Sequence, residues 1–161
     1  SRTGHSYLRA KMREVHAPVS GEMSGHLFFA DRWYGFDDGL YAGARLLEIL
    51  AKESDPGNIW NALPKTCATP ELNIPMQEGR PFTLIKQLQA HTDLFSDAED
   101  VILIDGLRAN YVDGFGLARA SNTTPMLVLR FEGDTPAALS RIQQKFKTAL
   151  AQLAPDIDWS F

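Results

Sequence analysis

The spacing of hydrophobic positions changes along this chain from a helical period to a strand period, and the change predicts its organisation. Between residues 6 and 15, Tyr7, Leu8, Met12 and Val15 fall on roughly one helical stripe, with Arg and Lys between them. The stretch Val19 to Phe29 is punctuated by Gly21 and Gly25, which oppose a helix. Asp37-Asp38-Gly39 then opens a helix running to about Lys52. Its aspartate cap precedes Leu40, Ala44, Leu47 and Leu50, and Pro56-Gly57 closes it. Thr66 to Thr69 is polar and turn-like, and marks the expected domain boundary.

After that boundary the pattern shortens. Glu71 to Met76 reads as a strand, and Pro81 to His91 as a helix with Phe82, Ile85 and Leu88 at helical spacing. Val101 to Asp105 and Leu107 to Val112 read as two strands near Asp105-Gly106, a common hairpin signal. Gly116 to Ala120 and Met126 to Glu132 form a further strand pair, joined by Ser121-Asn122-Thr123-Thr124-Pro125. A last helix starts at Pro136, a first-turn proline behind Asp134 and Thr135, with Leu139, Ile142, Phe146, Leu150 and Leu153 on one face. Short clustered strands with helices at either end predict an α+β domain, an antiparallel sheet covered on one face.

Composition narrows the function classes. The chain has 161 residues, 44% hydrophobic and 22% charged, with a net charge of −4. A chain of this length buries about two thirds of its unfolded surface, so it needs no disulfide or metal staple. Its scattered Lys and Arg argue against nucleic-acid binding. Cys67 is alone, which fits a reducing, cytoplasmic setting. No apolar run reaches the roughly 20 residues that span a bilayer. Ser1-Arg2-Thr3-Gly4-His5 lacks an initiator Met and leads at once into a helix, so the chain is expected to begin inside a larger polypeptide.

Two constellations carry chemistry. In Gly21-Glu22-Met23-Ser24-Gly25-His26, an extended backbone would project Glu22, Ser24 and His26 on one side. A carboxylate beside a hydroxyl and an imidazole suits vicinal sugar hydroxyls, each of which donates and accepts. The same residues also fit a solvated surface turn, acid/base use of His26, or, on a helix that the glycines oppose, a Glu22/His26 metal site. In Arg119-Ala120-Ser121-Asn122-Thr123-Thr124, small polar residues in a tight turn can aim backbone N–H groups at an anion. Hydroxyls of Ser121, Thr123 and Thr124 add donors, and Arg119 adds a planar fork matched to phosphate. An ordinary hairpin turn favours the same residue types. Neither segment holds an activated nucleophile or a carboxylate cluster for Mg²⁺, so the residues read as binding machinery.

Thr3-Gly4-His5-Ser6, Gly21-Glu22-Met23-Ser24-Gly25-His26, Trp33-Tyr34-Gly35-Phe36-Asp37-Asp38-Gly39 and Arg119-Ala120-Ser121-Asn122-Thr123-Thr124-Pro125 resemble, in this order and spacing, the phosphomannomutase/phosphoglucomutase branch of the α-D-phosphohexomutase superfamily. The resemblance covers essentially the whole chain. It implies that residues 1–66 are the later part of an αβα-layered α/β domain, the third of four, which reads the sugar. Residues 67–161 would be the fourth domain, an α+β unit that grips phosphate. It implies sugar contacts by Glu22, Ser24 and His26, a cleft histidine at His5 near the reacting end of the substrate, and a phosphate anchor made of Arg119, Ser121, Asn122, Thr123 and Thr124. The two loops would hold opposite ends of a phosphorylated hexose.

The implied reaction interconverts hexose 6-phosphate and hexose 1-phosphate through a bisphosphorylated intermediate. Mg²⁺ and a glucose 1,6-bisphosphate activator are expected of the full-length enzyme, with no metal bound by residues of this chain. The phosphoserine and Mg²⁺ loop would lie in missing N-terminal domains, leaving this portion inactive by itself and, as a whole protein, a monomer. A non-catalytic sugar-phosphate binding module is the alternative reading.

Overall fold

The structure, a computed structural model, describes residues 2–161. Two compact units divide the chain, one ending at Pro64 and the other running Lys65–Phe161.

The first unit begins with α1 (His5–Glu14), followed by a hairpin of β1 (Val19–Gly21) and β2 (Leu27–Phe29) paired antiparallel from Val19↔Phe29 to Gly21↔Leu27. Helix α2 (Gly39–Leu50) starts where the aspartate pair requires: Asp38 is its N-cap, and the side chain accepts the Tyr41 N–H at 3.0 Å. Pro56-Gly57 does more than close α2. It opens a short helix, α3 (Gly57–Asn61), because the Asp55 carboxylate accepts the Gly57 N–H and starts a new turn.

Of the expected α1 stripe only Met12 is buried; Tyr7 and Val15 are exposed. Met12 and Phe28 are the buried hydrophobic residues of this unit among those described. Leu40, Leu46, Leu47 and Ile49 of α2 remain exposed. What fixes the connection between β2 and α2 is polar and aromatic. Arg45 reaches Asp31 at 2.9 Å and lies over the Phe29 ring, Arg32 forks onto Glu48, and Trp33 stacks on Tyr41 at 4.4 Å. The Arg45 hydrogen bond holds the Asp31 carboxyl below the usual carboxylate range, and Arg32 pulls Glu48 down to about 2.

The second unit is a six-stranded antiparallel sheet: β3 (Cys67–Ala68), β4 (Leu72–Pro75), β5 (Asp100–Ile102), β6 (Leu107–Tyr111), β7 (Gly114–Ala120) and β8 (Met126–Gly133). The order is β3-β8-β7-β6-β5, and β4 shares with β3 the outer edge of β8. Helices α4 (Arg80–Ala90) and α5 (Pro136–Leu153) pack on it, α5 against β7 and β8, α4 against β6 and β7. Burial alternates along β6 and β7 as a one-sided cover demands, whereas β8 buries Leu127, Val128 and Leu129 in succession. Leu107, Ala109 and Tyr111 of β6, Ala118 and Ala120 of β7, and Leu127, Leu129 and Phe131 of β8 join the core. Thr135 caps α5 through its hydroxyl, just ahead of the expected Pro136 start.

Two expectations need correction. Cys67-Ala68 is a strand rather than a turn, since β8 extends to Gly133 and offers Glu132 and Gly133 as partners. Thr69 then bridges to β4: its N–H donates to the Phe131 carbonyl at 3.0 Å, and its hydroxyl accepts the Phe131 N–H. On α4, Phe82 is exposed, and Pro81, Leu84, Ile85 and Leu88 form the buried face. The start at Arg80 places the i, i+3, i+4 and i+7 set at Pro81, and that set excludes Phe82.

Candidate functional site

The sugar-reading candidates sit on the β1–β2 hairpin, though not in the extended form that strand alternation suggests. Glu22 donates its N–H to the His26 carbonyl at 2.9 Å, and Gly25 donates to the Glu22 carbonyl at 3.0 Å. These bonds close a three-residue loop, Met23-Ser24-Gly25. Gly25 takes the left-handed conformation at φ +88°, which a Cβ would oppose. Continuing the register past Gly21↔Leu27 sets Glu22 opposite His26, so these two share a face as cross-strand neighbours. Ser24 lies at the exposed apex of the loop.

Two further contacts orient this end of the unit. His26 Nδ1 lies 2.5 Å from the Asp37 carboxylate, which leaves Nε2 for a ligand. The Glu22 carboxylate accepts the Gly4 N–H at 3.3 Å, tying the hairpin to the entry of α1. His5, the first residue of α1, stacks its ring on the buried Phe28 with 6.3 Å between centroids. The fold therefore gathers His5, Glu22 and His26 at one end of the first unit.

Asp37 is the residue that sequence reasoning missed. It was legible only as one of two aspartates before a helix. Asp38 is the cap, and it also accepts the Trp33 indole N–H, whereas Asp37 bridges to Phe28 and so reaches His26.

The phosphate candidates occupy the β7–β8 connection. Ser121 is its hub. The Ser121 hydroxyl oxygen accepts the N–H groups of Thr123 at 3.3 Å and Thr124 at 3.2 Å, and lies 3.3 and 3.0 Å from their hydroxyls. Two amides and three hydroxyls thus converge on one point, held by bonds at the long end of the hydrogen-bond range. The Ser121 N–H donates to the Met126 carbonyl and the Met126 N–H to Thr124, which fixes the loop's base. Asn122, Thr123 and Thr124 are exposed.

Arg119 stands on the last turn of β7 pleat before this loop, paired with Val128 between the buried Ala118 and Ala120. Its side chain therefore leaves the sheet on the face opposite the helices. Among the described residues no ion pair engages it, whereas Arg108 is stacked on Phe115 and bonded to Asn110, and Arg130 lies 4.0 Å from Glu132. Gly106 lets the start of β6 approach Arg119. At φ +90°, a Cβ there would stand 2.2 Å from the Ala118 carbonyl oxygen and 2.8 Å from the Arg119 Cα. No group of three or more His, Cys, Asp or Glu side chains among the described residues is arranged to hold a metal.

An α/β unit followed by an antiparallel α+β unit, each with a donor-rich hairpin loop, defines a modular two-domain chain. Residues 1–67 match the family model described as "Phosphoglucomutase/phosphomannomutase, alpha/beta/alpha domain III", and residues 71–149 match the one described as "Phosphoglucomutase/phosphomannomutase, C-terminal domain". The chain belongs to the phosphoglucomutase/phosphomannomutase family. It is 54% identical over 159 residues to a phosphoglucomutase of Neisseria meningitidis, covering 98% of this chain and 34% of that protein. It is 47% identical over 161 residues to a phosphomannomutase/phosphoglucomutase of Pseudomonas putida, again covering 34% of the relative. A crystal structure of a phosphoglucomutase/phosphomannomutase family protein from Burkholderia thailandensis superposes with a TM-score of 0.89 at 56% identity, over 97% of this chain and 32% of that one. The chain spans about a third of the length of the relatives it matches.

Proposed function

We propose that this chain supplies the sugar-reading and phosphate-anchoring parts of a phosphohexomutase. The enzyme interconverts the 6-phosphates and 1-phosphates of glucose and mannose through a bisphosphorylated sugar. Residues 1–66 act as the later part of the sugar-recognition domain and residues 67–161 as the phosphate-binding domain. The observation that carries the reading is the Ser121 hub. Converging amides and hydroxyls follow an arginine that no ion pair among the described residues engages, and such donors are what a phosphate monoester requires.

In this reading Arg119, Ser121, Asn122, Thr123 and Thr124 hold the phosphate that is not being transferred. The weak internal bonds to Ser121 Oγ are exchanged for bonds to phosphate oxygens. Glu22, Ser24 and His26 bind sugar hydroxyls, with Asp37 orienting the imidazole, and His5 approaches the reacting end. Because the donors of the phosphate loop are small and unselective, they accept either phosphate of the intermediate as it reorients. Binding energy gathered away from the reacting bond places the transferring phosphoryl group in line. The serine that carries that group, the Mg²⁺ site and recognition of the glucose 1,6-bisphosphate activator are assigned to other segments of the polypeptide. The protein is read as a cytoplasmic monomer, with a hinge near Lys65 to Thr69.

Glu22→Gln tests the sugar half of this proposal. In the native gene product it is expected to weaken glucose 1-phosphate binding by about 1 kcal/mol, as a charge-assisted hydrogen bond becomes a neutral one, and to leave inorganic phosphate binding unchanged. Calorimetry with both ligands measures the difference. Equal losses for the two would show that the loop does not read hydroxyls.

A further inference from the structure

The aspartate doublet ahead of α2 is divided between two tasks, and the backbone sets the division. Consecutive residues of an extended segment point to opposite sides. Asp38, itself extended at φ −144°, turns to the helix, where it caps α2 and accepts the Trp33 indole N–H. Asp37 therefore faces the other way, and its antiparallel bridge to Phe28 fixes what it meets there. Directly opposite residues of such a pair share a face, and diagonal neighbours two residues along are within side-chain reach. Phe28 stands opposite Asp37, and the diagonal neighbour is His26, whose Nδ1 lies 2.5 Å from the Asp37 carboxylate. The bridge has a firm base, because the Phe28 side chain is fully buried with the His5 ring stacked on it.

Three observations give this contact a consequence at the other ring nitrogen. An ionised carboxylate only accepts, so Nδ1 carries the donated proton whether the imidazole is neutral or charged. The proton that comes and goes is then the one on Nε2. The second observation is that the competing carboxylate is engaged elsewhere: Glu22, across the hairpin, accepts the Gly4 N–H, and Asp37 is the acidic partner of His26 among the described residues. Thirdly, no hydrogen bond among the described residues takes up Nε2, and the His26 side chain is 53% exposed.

We propose that Asp37 is a positioning residue that fixes His26 in the Nδ1–H tautomer, so that the neutral ring presents Nε2 to a sugar hydroxyl as an acceptor. This role rests on the reading of Glu22, Ser24 and His26 as sugar contacts, and adds to it the direction of the His26 bond. Glu22 is an acceptor as well, so the two cross-strand side chains together suit hydroxyls that donate, and the Ser24 hydroxyl is left to donate in return. The opposite tautomer, with its proton on Nε2, would face the same hydroxyl as a donor.

The test is ¹⁵N NMR of the native gene product labelled at histidine, with the imidazole neutral. His26 is expected to show a protonated Nδ1 and a bare Nε2, and the Nε2 signal to move saturably with glucose 1-phosphate but not with inorganic phosphate. Asp37→Asn keeps the size of the side chain and the backbone bridge. It is expected to shift the proton toward Nε2 and, as one oriented hydrogen bond is lost, to raise the Kd for glucose 1-phosphate about three- to tenfold, with inorganic phosphate unaffected. Asp37→Glu restores a carboxylate and is expected to recover the Nδ1–H tautomer and part of the affinity, which a purely structural role would not produce. A native tautomer in Asp37→Asn, or an Nε2 signal that stays fixed while calorimetry shows glucose 1-phosphate bound, overturns the inference and leaves the sugar-reading loop standing. Failure of the native gene product to bind glucose 1-phosphate at all overturns both.

Discussion

Replacing Arg119 with alanine in the native gene product is expected to weaken glucose 1-phosphate binding by about 1.5–3 kcal/mol, or roughly 10- to 150-fold in Kd. The size follows from losing hydrogen bonds between a guanidinium and a doubly charged phosphate. The expectation is specific because Arg119 has little structural work to do. It makes no ion pair among the described residues, and its backbone is held by pairing with Val128 whichever side chain it carries. Melting of the variant should therefore stay close to that of the parent protein. Arg119→Lys should recover only part of the affinity, since an ammonium keeps the charge without the planar fork. Calorimetric titration of both variants reads these values. An unchanged Kd in Arg119→Ala would remove Arg119 from the phosphate site.

Phe146→Ala should destabilise the Lys65–Phe161 unit by about 3–5 kcal/mol, the usual cost of emptying a buried aromatic site. Phe146 is fully buried on α5, with Phe95 at 4.7 Å and Phe131 at 5.3 Å between ring centroids. Beneath it lies Gly116 of β7, where an added Cβ would stand 2.3 Å from the Phe146 Cε2. The close approach of helix to sheet depends on both residues, so Gly116→Ala is also destabilising. The two are expected to be non-additive, because the space vacated in Phe146→Ala admits the alanine methyl. Denaturant unfolding followed by the buried Trp159 measures both. A loss below about 1 kcal/mol for Phe146→Ala would contradict this packing. The link to binding is direct, since β7 carries Gly116 inward and Arg119 outward three residues later.

Much of this architecture is legible in the sequence wherever a local signal and the tertiary context agree. Asp38 and Thr135 cap the helices that their positions announce, and the paired strands β6 and β7 follow their two-residue periods. Two of the misreadings share a cause, which is that the deciding partner is distant in sequence. Cys67-Ala68 becomes a strand only because β8 extends far enough to meet it, and nothing within the two residues says so. Met12 is buried while Tyr7 and Val15 on the same expected stripe are not: the hairpin meets α1 at His5, through the Phe28 ring, and at Met12, whose sulfur takes the Ser20 hydroxyl.

The site shows the same division. The Arg119 to Thr124 segment is a strand end and loop in both sequence and structure, so its donors could be named from their order alone. The Glu22 to His26 segment has the residue types expected of it but reaches a shared face by another route. Gly25 closes a turn and sets Glu22 across from His26, where strand alternation would have aligned all three side chains. Asp37 could not be assigned to His26 from spacing, because 11 residues and an isolated bridge to Phe28 intervene.

A crystal structure of the native gene product with glucose 1-phosphate decides whether one hexose phosphate engages both hairpin loops. The phosphate is expected about 3 Å from the Arg119 guanidinium and from the donors of Ser121 to Thr124, with sugar hydroxyls at similar distances from Glu22 and Ser24. Density for the ligand at some other position, with both loops keeping only their internal hydrogen bonds, would contradict the assignment.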